Sequence, residues 1–240
     1  MAQSAHPPLE EYLQMIAILG EEGAPAVQAQ LARRLDKTPA AVSEVVIRLE
    51  ADGYLTRNGR VINLTEEGRG VATAVMRRHR LAERLLVDVI GISWSEAHLE
   101  AGRWEHVISD SVEQRLVTLL GDPSTCPHGN PIPGSHNHAP NRSELVALGD
   151  VEPGEAFRVA RITEDIEQDE SLLRFLEGAG LVPGATGSVS EKQPDGTLLL
   201  EVGGTVRPLG VSLSRRLLVE RTPSPRTRPP RRRPGRPAPG

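Results

Sequence analysis

Residues 26–64 constrain the fold more than any other stretch of this 240-residue chain. Val27, Leu31 and Leu35 recur at i, i+4 and i+8, the spacing of one helix face over 26–35. The pattern breaks at Asp36-Lys37. Thr38 then stands as an N-cap with Pro39 at the first helical position, where its missing N–H costs nothing. The helix they start, 39–51, carries Val42, Val45, Val46 and Leu49 on its apolar side and stops near Gly53. Tyr54–Arg57 and Arg60–Leu64 flank Asn58-Gly59, a strong signal for a two-residue hairpin loop. Two short helices, a tight turn between them and a hairpin behind make a winged helix-turn-helix.

In such a unit the second helix enters the DNA major groove and flanking side chains hold phosphates. Thr38, Pro39, Ala40, Ala41, Ser43, Glu44 and Arg48 are then the candidate DNA-facing residues, with Arg57 and Arg60 on the wing. A helical hairpin used for protein contacts is the alternative. Charge bears on the choice, because residues 1–75 hold seven basic and ten acidic side chains. The whole chain has a formal charge of −4, and residues 221–240 contribute seven Arg and no acid, which leaves −11 on residues 1–220. An acidic body is unusual for a protein that binds phosphates, so any DNA binding is expected to be conditional.

Composition divides the remainder. Residues 1–121 are helical in pattern, and 122–142 concentrate Pro, Gly, His and Asn as a linker. From 143 to 220, short β-branched and Leu runs punctuated by Gly read as a small β-barrel in which only SLLRFLEGAG looks helical. The Arg/Pro tail 221–240 has too little apolar surface to fold and is expected to be disordered. One cysteine excludes an internal disulfide framework. No apolar run approaches bilayer length and no signal-peptide pattern opens the chain, which points to a cytoplasmic protein with no membrane partner.

Thr65 caps a long helix running to Gly91, on which His79 and Glu83 lie four residues apart and so project from one face. A further helix from about Ser95 supplies His98, Glu105 and His106 on one stripe, with Gly102 in its middle. Imidazoles and carboxylates converging from two helices suit Fe²⁺, Mn²⁺, Co²⁺, Ni²⁺ or Zn²⁺. Any single pair reads first as a solvated surface ion pair. Five such residues on adjacent helices favour metal.

The segments AVMRRHRLAERLLVDVIG, HLEAGRWEHVISDSVEQRLV and GNPIPG closely resemble the diphtheria toxin repressor family of iron- and manganese-responsive regulators, and the similarity spans residues 8–220. The resemblance implies a mainly α fold with a small β domain. A winged helix-turn-helix (1–74), a helical metal-binding and dimerisation domain (75–121), the Pro/His-rich linker (122–142) and an SH3-like, FeoA-like β-barrel (143–220) follow in order. It also implies two metal sites per subunit. The ancillary site takes His79, Glu83, His98, Glu164 and Glu167, the last in place of the usual Gln. The primary site takes Glu11, Glu105 and His106 with position 102, which here is Gly and offers only its backbone carbonyl. A donor set without sulfur favours Mn²⁺ or Fe²⁺ and implies a primary site of lowered affinity.

The expected function is a non-enzymatic, homodimeric repressor of metal-uptake or metal-homeostasis genes. It binds a palindromic double-stranded operator with Mn²⁺ or Fe²⁺ as co-repressor and has no small-molecule substrate. Two alternatives stay open: a dimetal hydrolase built on the same cluster, and a metal-independent regulator whose primary site has decayed. Among weaker signals, Cys126, His128, His136 and His138 form a Cys/His-rich tract without paired zinc-site spacing. By family resemblance, Pro127, Pro131 and Pro133 present a polyproline ridge to the SH3-like domain. Trp94 and Trp104 read as helix-packing residues.

Overall fold

The computed structural model describes residues 9–140 and 142–222. Helix α1 (Leu9–Glu21) precedes α2 (Gln28–Arg34) and α3 (Pro39–Ala51), and strands β1 (Leu55–Asn58) and β2 (Val61–Leu64) follow. Between α2 and α3 the chain reverses with Asp36 in the left-handed region at φ 50°, a conformation that Asp tolerates better than most side chains. Thr38 caps α3 as expected, its side chain accepting from the Ala41 N–H at 3.2 Å. The hairpin differs by one residue from the sequence reading. Asn58 pairs with Val61, so the loop is Gly59-Arg60 rather than Asn58-Gly59. Gly59, at φ 61°, takes the glycine-first position that a type II′ loop requires. Leu31, Val42, Val46, Leu49, Leu55 and Ile62 close a core against the apolar face of α1.

Helix α4 (Glu66–Arg84) starts at the Thr65 cap and runs on as a π-helical turn, Leu85–Ile90, to Gly91. Gly68 near its start is dictated by packing, since a Cβ there would lie 1.9 Å from the Tyr54 carbonyl oxygen. The next helix, α5 (Ala97–Trp104), is shorter than expected. Glu105 is its C-cap and His106 lies in the following turn, so the single helical stripe does not extend to them. With α6 (Asp110–Leu120), these helices bury Leu81, Leu86, Ala97, Ala101 and Leu116 together.

The C-terminal part is a six-stranded antiparallel sheet in the order β3 (Val146–Ala147), β8 (Leu217–Thr222), β4 (Ala156–Ile162), β5 (Thr186–Lys192), β6 (Leu198–Val202), β7 (Thr205–Leu209). Strand β8 reaches two residues into the expected tail, because Arg221 and Thr222 pair with Phe157 and Ala156. The rest of the Arg/Pro tail lies outside the described residues. Helicity is also wider than expected: besides α8 (Glu170–Ala179), short helices α7 (Glu164–Glu167) and α9 (Val211–Ser214) interrupt the strands.

Two further expectations are corrected. Segment 122–142 is not a free spacer. Ile132 enters the helical core, and Cys126, His128 and Asn130 are buried. Trp94 does not pack among the helices; it joins Leu148, Ile166 and Leu217 in the core of the β part. Trp104 is the helix-packing residue of the two, half-buried against the helical core. Among the described residues, no helix is long and apolar enough to cross a membrane.

Candidate metal centre

The i, i+4 spacing on α4 places His79 and Glu83 where α5 and the β part close over them. His79 Nε2 lies 3.1 Å from Glu83 Oε1 and 3.0 Å from His98 Nδ1, while His98 Nδ1 lies 2.9 Å from Glu83 Oε1 and 3.1 Å from Glu167 Oε2. Four of the five ancillary-site expectations therefore converge. Glu164, the fifth, is drawn aside by the buried Arg80 guanidinium, although it lines the same cavity as His79 and His98.

The other face of His79 leads to the second set. Its Nδ1 sits 2.5 Å from Glu105 Oε2, and Glu105 Oε1 sits 3.1 Å from His106 Nε2. Glu11 Oε1 is 3.7 Å from His106 Nε2, and the neighbouring Glu10 reaches His106 Nδ1 at 2.9 Å. Glu10 is a residue that sequence reasoning missed. It sits at the exposed start of α1, where its proximity to His106 was not legible. Gly102 faces the cavity with nothing within 4 Å of the place a Cβ would occupy.

Electrostatics bind the cluster. Burial opposes charge on His98, His106 and Glu105, yet their pairings prevail. Hydrogen bonds to Glu167 and Glu83 hold His98 at about 9 in spite of its burial. The bond to Glu105 does the same for His106, also about 9. Against its own burial, Glu105 is held at about 2 by His106 and His79. Burial lifts the Glu11 carboxyl above its ordinary value. The same carboxylates are thus neutralised by protons on imidazoles, a role that a divalent cation can also fill. The donor set fits one: Glu83 Oε2 is buried without a hydrogen-bond partner, as a ligand atom is before an ion is bound.

Two residues of the Cys/His-rich tract enter this cluster and two do not. His128 Nδ1 lies 3.3 Å from Glu83 Oε1, and Cys126 is buried beside it. His136 is exposed and pairs with Asp122 at 3.0 Å, and His138 is exposed. The segment docks on β4 through the His128 carbonyl and the Asn130 side chain. The Ile162 N–H donates to the His128 carbonyl at 3.0 Å, and Asn130 Nδ2 donates to the Ile162 carbonyl at 3.2 Å. Gly129 permits the approach, since a Cβ there would lie 2.1 Å from the Ala160 carbonyl oxygen.

On α3, Thr38, Pro39, Ala40, Glu44 and Arg48 are exposed, whereas Ala41 and Ser43 are half-buried. Ile47 is 54% exposed on this helix. Arg60 is exposed at the wing tip, and Arg57 donates to Glu50 at 2.8 Å.

Residues 6–60 match the iron dependent repressor N-terminal DNA binding domain. Residues 65–134 match the iron dependent repressor metal binding and dimerisation domain, and 146–221 match the FeoA domain. The iron-dependent repressor IdeR of Mycobacterium tuberculosis is 46% identical over 204 residues, covering 81% of this chain and 88% of that protein. The chain belongs to the diphtheria toxin repressor family. A second member, the diphtheria toxin repressor of Corynebacterium jeikeium, is 42% identical over 196 residues, covering 73% of this chain and 82% of its own. Among solved members of the diphtheria toxin repressor fold, a manganese-dependent transcriptional repressor in complex with manganese superposes with a TM-score of 0.80. It is 28% identical and covers 90% of this chain and 100% of its own.

Proposed function

We infer that this protein is a homodimeric, DNA-binding transcriptional repressor switched by a divalent metal, Mn²⁺ or Fe²⁺. One observation carries the reading: His106, in the turn after α5, is held by Glu10 and Glu11 of α1, the helix on which the helix-turn-helix packs. The metal-responsive cluster and the DNA-reading unit thus share a joint. Glu11, Glu105 and His106, with the Gly102 carbonyl, are the proposed primary ligands, and His79, Glu83, His98 and Glu167, with Glu164 nearby, the ancillary ones. A bound cation supplies positive charge that draws these carboxylates and imidazoles together. Glu11 and His106 then set the angle of α1, and with it the spacing of two recognition helices on successive major grooves.

Exposed apolar side chains on and beside α5 and α6 support self-association, with Val107 78% and Leu119 63% exposed. Moving the population from 1:99 to 99:1 in favour of the DNA-binding state requires a bias of about 5.5 kcal/mol. The test is a mobility shift of a palindromic operator with Mn²⁺, Fe²⁺ or excess chelator. A shift that requires metal is expected, and undiminished binding in chelator overturns the co-repressor role.

A further inference from the structure

Behind the His79–His98 set, the turn from Cys126 to Asn130 brings a different group of donors to Glu83. Cys126 Sγ, His128 Nδ1 and a Glu83 carboxylate oxygen lie within 4.8 Å of one another, and all three residues are buried. Glu167 Oε2 stands 3.9 Å from His128 Nδ1, close enough to join them.

The backbone holds this group in a ligating form. His128 Nε2 is 3.1 Å from the Trp94 carbonyl oxygen. A carbonyl only accepts, so Nε2 carries a proton and Nδ1 is the nitrogen turned into the cluster, 3.3 Å from Glu83 Oε1, where a cation can take the place of a second ring proton. Trp94 also donates from Nε1 to the Pro127 carbonyl at 2.9 Å, clamping the backbone between Cys126 and His128. His128 and Glu83 are both 0% exposed; His128 Nδ1 meets Glu83 Oε1 at 3.3 Å, and Glu83 Oε2 has no hydrogen-bond partner.

We propose that Glu83, Cys126 and His128, with Glu167 alongside, form a thiolate-bearing site for a borderline divalent ion of the Zn²⁺ or Co²⁺ type, next to the His79–His98 set and sharing Glu83 and Glu167 with it. Sulfur, imidazole and carboxylate donors in a group of four suit a tetrahedral ion and disfavour Mn²⁺, which prefers oxygen. As the metal–sulfur bond forms, the thiol proton leaves to the buffer. The ion ties the turn that docks on β4 to helix α4, and so couples the β part to the helical core.

The test is titration of the full-length, metal-free protein with Co²⁺ alone, read by absorbance. Cys126 is the only cysteine, so a sulfur-to-cobalt charge-transfer band reports this site and no other. The band is expected to saturate at one ion per chain, to be lost in Cys126→Ser, to weaken in His128→Phe and to persist in His79→Ala. Equal Zn²⁺ is expected to erase it, and equal Mn²⁺ to leave it. Melting curves of the metal-free variants separate ligand loss from misfolding; if Cys126→Ser does not fold, the wild-type band and its metal competition decide alone. Absence of the band with Co²⁺ bound overturns the proposal, as does loss of the band in a folded His79→Ala. Mn²⁺-dependent operator binding that survives either result leaves the regulator reading intact.

Discussion

His79 and Glu105 meet at 2.5 Å between Nδ1 and Oε2, and through this contact the two candidate metal positions become one connected cluster. The other nitrogen of the same ring faces Glu83 and His98. Replacing His79 by Ala is therefore expected to weaken both positions, each by roughly 10–100-fold, the range seen when a ligand or the group orienting it is removed. Calorimetric titration with Mn²⁺ reads the two positions separately. A loss confined to one of them would mean that the ring serves that position alone.

Gly102 leaves room that a larger side chain can use. Because nothing lies within 4 Å of its notional Cβ, Gly102→Cys should fit and add a donor beside Glu105. A gain of about tenfold in Mn²⁺ or Fe²⁺ affinity, roughly 1.4 kcal/mol, is expected. Gly102→Ala is the control. It should raise stability by about 0.5–1 kcal/mol through helix propensity alone and leave metal affinity unchanged. Equal affinity of Gly102→Cys and wild type in titration would contradict a primary site weakened at this position.

The pH dependence has a definite sign. His98 and His106 are raised from 6.5 to about 9 in the folded protein. Their contribution to stability is thus complete below about pH 6.5 and fades as pH climbs through about 9. Metal competes with those protons, so metal affinity moves the opposite way and strengthens over the same window. The melting temperature of metal-free protein should fall from pH 6.5 to 9 while the increment added by Mn²⁺ grows. An increment that stays flat would show that these imidazoles are not ligands.

Arg80 is a structural keystone hidden in a charged helix. It is 1% exposed, with Glu21 of α1 at 3.0 Å, Glu164 of the β part and the Pro131 carbonyl as partners. Arg80→Met strands the buried Glu164 carboxylate, while Glu21 keeps Arg161 at 3.2 Å, and should cost about 3 kcal/mol. Urea unfolding measures this, and a cost below 1 kcal/mol would mean that the network relaxes around the gap.

At the wing tip, Arg60 is exposed, and the proposed winged-helix reading assigns it a phosphate contact. Arg60→Ala should lower operator affinity uniformly across base substitutions and reduce the slope of log affinity against log salt by about 1. A change in base preference instead would assign Arg60 to base reading.

Much of the local structure was legible in the residues themselves. The Thr38 cap, the Pro39 start, the Thr65 cap and the i, i+4 pair of His79 and Glu83 depend on neighbours within one turn of helix, so spacing alone specifies them. The hairpin was legible to within one residue, because Asn58-Gly59 and Gly59-Arg60 both offer a glycine that tolerates positive φ. The end of α5 was not: Trp104 closes the helix before Glu105, a boundary that periodicity could not reveal.

The residues of this sequence by themselves determined the order of its three parts, the recognition helix and wing, and most of the titratable groups of the metal cluster. Tertiary structure alone decided which of those groups face one another. Glu167 reaches His98, Arg80 reaches Glu21 and Glu164, and His128 reaches Glu83 only because the Pro-rich turn docks on β4 and α1 packs across α4. Such contacts join residues far apart in the chain, and no local period encodes them. The pairings that set the protonation of His98 and Glu105 against their burial, and the burial that turns a supposed linker into part of the site, likewise exist only once the chain has closed around them.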